Sequence, residues 1–188
     1  MRMADKNNLP TTVFANPAPL GLLGFGMTTV LLACHNLELF PMDVTIIALG
    51  VFYGGLAQLL AGIMEFKKGN TFSATAFVSY GFFWLAFVLI TLDDNLAADQ
   101  TASGLFFYLW GIFTLFFFVA TLRSEISLRI IFGTLTALFF VIAASQFVES
   151  AALPILSGVI GLLCGGMAMY RAFGEVLNEQ YQREVLPL

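Results

Sequence analysis

The polar side chains that this sequence sets deep inside long apolar stretches are all neutral: Thr28, Thr29, Gln58, Ser79, Tyr80, Thr134 and Thr136. Hydroxyls and amides can hydrogen-bond a small anion without trapping it, and passage through a pore needs sites that are only moderately favourable. Taken singly, a Thr or Ser in a helix bonds back to its own preceding turn, which is the plainer use for each of them. No Lys, Arg, Asp or Glu lies centrally in these stretches. Glu65, Arg129 and Arg171 sit close to stretch ends, and Glu65, seven residues from Gln58, either faces a pore or snorkels outward. Proton pumps and cation carriers ordinarily place a carboxylate deep in the membrane, so this pattern leans slightly toward an anion channel.

Other chemistries lack their constellations. There is no His-Glu-x-x-His, no Gly-x-Ser-x-Gly and no phosphate-cradling glycine loop, so an enzyme is not expected, nor a metal or other cofactor. His35 is the only histidine; beside Asn36 at a helix end it reads as an interfacial hydrogen-bonding residue before a proton carrier. Cys34 and Cys164 both lie in apolar runs and read as small core residues. No basic stripe suggests nucleic acid.

The elements that must hold these residues are six apolar runs, roughly 17–37, 44–64, 72–92, 101–122, 126–148 and 151–170. A helix crosses a bilayer with about 20 residues, so six spans use most of the 188 residues. The chain is 59% hydrophobic and only 11% charged. The expected fold is an all-α membrane protein of six transmembrane helices. The expected division is a tail over 1–15, a six-helix domain over 16–172 and a tail over 173–188. The first run has a basic flank but no clear signal-peptide cleavage site.

Charge supports this threading. All eight Lys and Arg residues (Arg2, Lys6, Lys67, Lys68, Arg123, Arg129, Arg171 and Arg183) fall on one side of the six-span arrangement. The opposite loops carry Glu38, Asp43, Asp93, Asp94, Asp99 and Glu149. Basic residues in short loops mark the cytoplasmic face, so both termini are expected there, with the inner mouth of any pore cationic.

Local signals punctuate the runs. Asn16 reads as an N-cap with Pro17 in the first helical position, which also turns a positive dipole end toward the inner mouth. Pro41 and Asp43 open the second helix, Lys67-Lys68-Gly69-Asn70 turns into the third, Asp93-Asp94-Asn95 ends the third, and Arg123-Ser124-Glu125 joins the fourth and fifth. Gly50, Gly54, Gln58 and Gly62 form one row on helix two, as do Ser157, Gly161 and Gly165 on helix six, and helix one carries Gly21, Gly24 and Gly26. Small residues let helices approach closely in lipid, so helices one, two and six are expected at the tight centre. Helix four has Phe106, Phe107, Tyr108, Trp110, Phe113, Phe116, Phe117 and Phe118 on all faces, which suits lipid or another subunit.

A longer string is more specific. Asn16-Pro17-Ala18-Pro19-Leu20-Gly21-Leu22 is followed by Gly24-Phe25-Gly26-Met27-Thr28-Thr29. Phe52-Tyr53-Gly54-Gly55 with Gln58, Lys67-Lys68-Gly69-Asn70-Thr71-Phe72 and Ser79-Tyr80-Gly81 come next in order. Trp110-Gly111 and Gly174-Glu175-Val176-Leu177-Asn178-Glu179-Gln180 complete the set. From about residue 13 onward the chain resembles the acetate uptake transporter family, the succinate–acetate permeases. Aquaporins resemble a duplicated pattern with two Asn-Pro-Ala motifs, and this chain has only Asn16-Pro17-Ala18.

The resemblance implies a hexameric ring with one narrow pore per protomer in the cell membrane. It implies acetate as substrate, with succinate or other small monocarboxylates second, and a mid-membrane hydrophobic constriction at Phe25, Tyr80 and Leu135. There the Tyr80 hydroxyl is expected to donate to a carboxylate. Thr28, Thr29, Gln58, Ser79 and Thr136 are the expected polar lining, with Asn16 and Pro17 at the inner mouth. At Ala33 the family often has Asn, a departure expected to touch the outer substrate site, and the acidic third loop is unlike an anion funnel. Acetic acid can carry its own proton, so channel and symport stay open. The competing reading is a non-transporting membrane assembly protein built around helix four.

Overall fold

The computed structural model describes residues 15–92 and 99–188; Arg2 and Lys6, and the Asp93-Asp94-Asn95 helix end, lie outside them. Six helices are long and apolar enough to cross a membrane: α1 Ala18–Asn36, α2 Val44–Lys68, α3 Thr71–Leu92, α4 Gln100–Thr121, α5 Ile126–Ser145 and α6 Ala152–Tyr181. α6 continues well past residue 172, where the sequence suggests a tail. Its end is closed by Gln182 in the left-handed conformation (φ 51°). Residues 182–188 then turn back along it: Asn178 accepts from the backbone of Val185 and Leu186 at 2.6 and 2.9 Å, and the Tyr170 hydroxyl donates to Pro187 O at 2.8 Å.

The helix ends obey local chemistry. Asp43 Oδ1 accepts from the N–H of Thr45 at 2.8 Å, and Asp99 Oδ1 from that of Ala102 at 2.8 Å, so a side-chain cap opens both α2 and α4. Between α2 and α3, Gly69 adopts φ 79°, a conformation costly for any residue with a Cβ. Its own N–H and that of Asn70 reach back to Phe66 O and Glu65 O. Asn70 then caps α3, its Oδ1 accepting from Ser73 N. The start of α1 differs by one residue from the expected one. Pro17 holds the cap position, and Asn16, one residue outside, accepts from Ala18 N at 3.3 Å.

α2 is not a uniform α-helix. Gly50–Ala57 is π-helical, eight residues long, between ordinary α turns. A π segment widens the helix and re-aims the turns beyond it. Glycines take the close approaches around it: a Cβ on Gly24 of α1 would lie 2.5 Å from Tyr53 O, and one on Gly81 of α3 would lie 3.0 Å from Gly55 O.

The most extensive helix pairing is α1 with α6, and α1 also packs along α2. Gly26 and Gly165 meet back to back: a Cβ on either would lie 2.8 or 2.7 Å from the other's carbonyl oxygen. The glycine row of α2 departs from expectation, because Gly50, Gly54 and Gly62 abut Val88, Trp84 and Val78 of α3. The tight centre therefore includes α3. Ala33 is buried against Gly158 and Gly161 in the α1–α6 contact, so its exchange for Asn concerns helix packing.

α4 is sided, contrary to its all-round aromatic sequence. Phe106, Trp110, Phe113 and Phe117 pack inward on the core, while Leu109 and Phe116 face outward. Spacings of four, three and four residues put that inner set on one face.

Candidate functional site

A cavity of about 550 Å³ opens among Asn16, Lys68, Glu125 and Arg171 and runs inward to Phe25, Tyr80 and Leu135. α1 supplies Leu22 and Phe25, α2 Gln58 and Glu65, α3 Ser73, Phe77 and Tyr80, and α5 Ile131 and Leu135. The three expected constriction residues all line the cavity: Phe25, Tyr80 and Leu135 are 6%, 3% and 3% exposed. The rings of Phe25 and Tyr80 lie 6.0 Å apart, centre to centre. Toward the acidic end, aromatic rings fill the interior. Phe83 lies 5.1 Å from Phe139 and 5.2 Å from Trp110, ring centre to ring centre.

Tyr80 is positioned by a residue that sequence reasoning passed over. Its hydroxyl lies 2.9 Å from Thr114 Oγ1, and Thr114 Oγ1 donates to Trp110 O at 2.7 Å. A hydroxyl has one proton. Thr114 has committed its own to a carbonyl, so Tyr80 is the donor to Thr114. Tyr80 lines the cavity, but its oxygen is left with lone pairs only, and the expected donation to a carboxylate is not made in this arrangement. Thr114 stands in an aromatic helix, where a single Thr carries no pattern of its own.

The other polar candidates divide. Gln58 lines the cavity, with Nε2 donating to Gly54 O at 2.7 Å. Thr28, Thr29 and Thr136 do not line it, and each donates to the carbonyl four residues back at 2.7 Å, onto Gly24, Phe25 and Phe132. Thr134 likewise bonds Ile130 O. Ser79 is half-buried and outside the cavity lining. Back-bonding thus accounts for the threonines that the sequence offered as lining. Asn16 lines the mouth; Pro17 does not line it and serves the start of α1. His35 Nδ1 lies 3.0 Å from Phe40 O, which can only accept, so this ring nitrogen carries the proton.

The mouth is a paired network and not a cationic ring. Three carboxylates (Glu65, Glu125 and Glu175) and two cations (Lys68 and Arg171) line the cavity. Arg171 Nε pairs with Glu175 at 3.0 Å, and its Nη1 holds Glu125 and, at 2.7 Å, the Ser127 hydroxyl. Asn16 Nδ2 donates to Glu175 Oε2 at 2.9 Å while Asn16 Oδ1 accepts from Lys68 Nζ at 2.8 Å. This network ties α1, α2, α5 and α6 together. The sequence could not show it, because its members are far apart along the chain.

Glu65 is the larger revision. Its place near a helix end left two readings, facing a pore or snorkelling outward; its side chain is fully buried and lines the cavity. The ground on which the sequence leaned toward a channel, the lack of a buried carboxylate, is thereby removed.

These features define a multi-pass membrane protein with a cavity between its spanning helices. A model of the GPR1/FUN34/yaaH family matches residues 3–187, and the chain belongs to that family. It is 51% identical over 181 residues to the succinate-acetate/proton symporter SatP of Escherichia coli K12, covering 94% of this chain and 96% of that one. Acetate permease A of Emericella nidulans is 36% identical over 198 residues, covering 93% of this chain and 66% of that protein. Among solved structures, the bacterial acetate channel SatP matches with a TM-score of 0.89 at 50% identity, covering 94% of this chain and 99% of that one.

Proposed function

We propose that this protein carries acetate, and secondarily succinate or other small monocarboxylates, across the cell membrane through the cavity and the Phe25–Tyr80–Leu135 constriction. The observation that supports the reading is the cavity itself: Lys68 and Arg171 line it together with Phe25, Tyr80 and Leu135 inside a six-span bundle. The names of its relatives, a succinate-acetate/proton symporter and an acetate channel, support the same substrates. A charged carboxylate loses hydration at an apolar constriction, which makes that ring a selective barrier by size and charge. Both termini face the cytoplasm in this reading, because short basic connections favour that side.

The protomers assemble as a hexameric ring with a separate pore in each. Outward-facing Phe52, Leu60 and Phe116 provide apolar surface for neighbours as well as for lipid. Native mass spectrometry of the detergent-solubilised protein checks the number, and a monomer would contradict it.

The transport test is exchange of labelled acetate into acetate-loaded proteoliposomes at alkaline pH, where the neutral acid that leaks through lipid is scarce. Filling well above the protein-free rate, suppressed by excess unlabelled succinate, is expected. Filling at the protein-free rate, with the protein shown folded and inserted, would leave the bundle a structural role.

A further inference from the structure

The polar atoms left without a partner deep in the cavity are acceptors. Glu65 is 0% exposed, and neither of its carboxylate oxygens has a hydrogen-bond partner among the described residues. Gln58 is equally buried. Its amide N–H goes to Gly54 O, which fixes the orientation of the amide and leaves Oε1 as the unpartnered atom. At the constriction the Tyr80 oxygen has given its proton to Thr114. Gln58 and Glu65 stand seven residues apart on one face of α2, roughly 10 Å along the helix. The cavity thus passes from Glu65 at its floor to Gln58 and Tyr80 at its end.

Buried acceptors without donors are costly. A carboxylate cannot relieve them, because it brings only more acceptors; a carboxylic acid brings the missing O–H. The mouth is different, since the partly exposed Lys68 carries ammonium donors there, while Arg171 is largely engaged by Glu125, Glu175 and Ser127. Donors outside and acceptors inside ask for a proton to be added between the two.

We propose, resting on the reading of the cavity as a carboxylate pathway, that Glu65 is its proton-coupling residue, passing a proton to the substrate carboxylate before it meets Gln58 and Tyr80. In this step the O–H bond of the Glu65 acid breaks and an O–H bond forms on the substrate oxygen. Glu65 is left as a carboxylate, and the neutral acid turns its O–H first to Gln58 Oε1 and then to Tyr80 Oη. Glu65 takes its next proton from hydronium in the solution at the mouth, which leaves water. No electrons change hands, and one proton crosses with each carboxylate so neutralised. Neutral acid then meets the apolar ring with far less desolvation than the anion.

The groups that face Glu65 across the cavity are few. Lys68 on the same helix has Nζ 3.9 Å from Oε1. α6 brings the Arg171–Glu175 pair, and the turn before α5 brings Glu125. The α1 and α3 residues lining the cavity include no charged side chain.

The test uses the purified full chain in proteoliposomes and labelled acetate at alkaline pH, where the neutral acid that leaks through lipid is scarce and the protein-free rate is subtracted. Two modes are measured: uptake driven by a pH gradient, and exchange at equal pH. For Glu65→Gln, gradient-driven uptake and exchange are both expected to fall by about 100-fold while substrate binding, measured by titration calorimetry of the solubilised protein, is retained, and Glu65→Asp to restore part of both. Wild-type driven uptake with the wild-type pH profile in Glu65→Gln overturns the proposal. Loss of substrate binding in a folded Glu65→Gln protein also overturns it, by assigning Glu65 to binding alone. Should the Gln variant not assemble, Glu65→Asp decides: a shifted pH profile at retained exchange supports coupling, and an unshifted one overturns it. A wild-type protein that shows neither mode fails the carboxylate reading itself and takes this proposal with it.

Discussion

Tyr80 shows how one proton decides what a site can recognise. Its ring packs between Phe25, Phe113 and Phe139, and its hydroxyl is oriented by Thr114. Tyr80→Phe keeps the ring and removes the oxygen, while Thr114 keeps its bond to Trp110. We expect a stability change within about 1 kcal/mol and a severalfold slower carboxylate exchange, measured by thermal melting and by the liposome assay. Thr114→Val leaves the Tyr80 O–H as a buried donor without a partner, which costs about 1–3 kcal/mol and is checked by the same melting measurement. Tyr80 and Gln58 were legible as polar residues in apolar runs. Thr28, Thr29 and Thr136 looked the same on paper, but a Thr that bonds its own turn differs from one facing a cavity only in which side of the helix is covered. For Glu65 the sequence leaves pore-facing and snorkelling both open, because position near a helix end does not show whether neighbouring helices bury that last turn, as they do here.

At the scale of elements, close glycine contacts set the shape of the cavity wall. Gly26→Val and Gly165→Val each thrust carbon into the opposing backbone of the α1–α6 contact. Overpacking of this kind costs about 1–3 kcal/mol. Both variants should melt earlier and show reduced exchange, whereas Gly166→Ala, with nothing within 4 Å of its added carbon, should leave both unchanged. Equal losses in all three variants would contradict the contact. Helix number and several of the caps (Asp43, Gly69, Asn70) could be read directly, because capping is local chemistry. The π-helical stretch Gly50–Ala57 could not, since a widened turn leaves no periodic mark beyond its glycines. It carries consequence all the same: it precedes Gln58 and Glu65 and sets the direction in which α2 presents them.

For the whole molecule, the sorting of charge along the chain indicated six spans and a basic end before any packing was known, because each charge must sit outside the hydrocarbon. What the charges do to one another was not legible: the basic residues of the mouth are matched by Glu125 and Glu175, so attraction of an anion rests on Lys68 and a shared Arg171. In the proposed reading the pathway is closed at the apolar ring, and passage depends on that ring yielding to a small acid. The measurement that tests this most directly is labelled acetate exchange through Phe25→Ala beside wild type, with chromatographic assembly of both confirmed. Removing the ring should raise acetate exchange and admit bulkier monocarboxylates such as butyrate. Unchanged exchange and unchanged selectivity in a folded Phe25→Ala protein would contradict a pathway through Phe25, Tyr80 and Leu135.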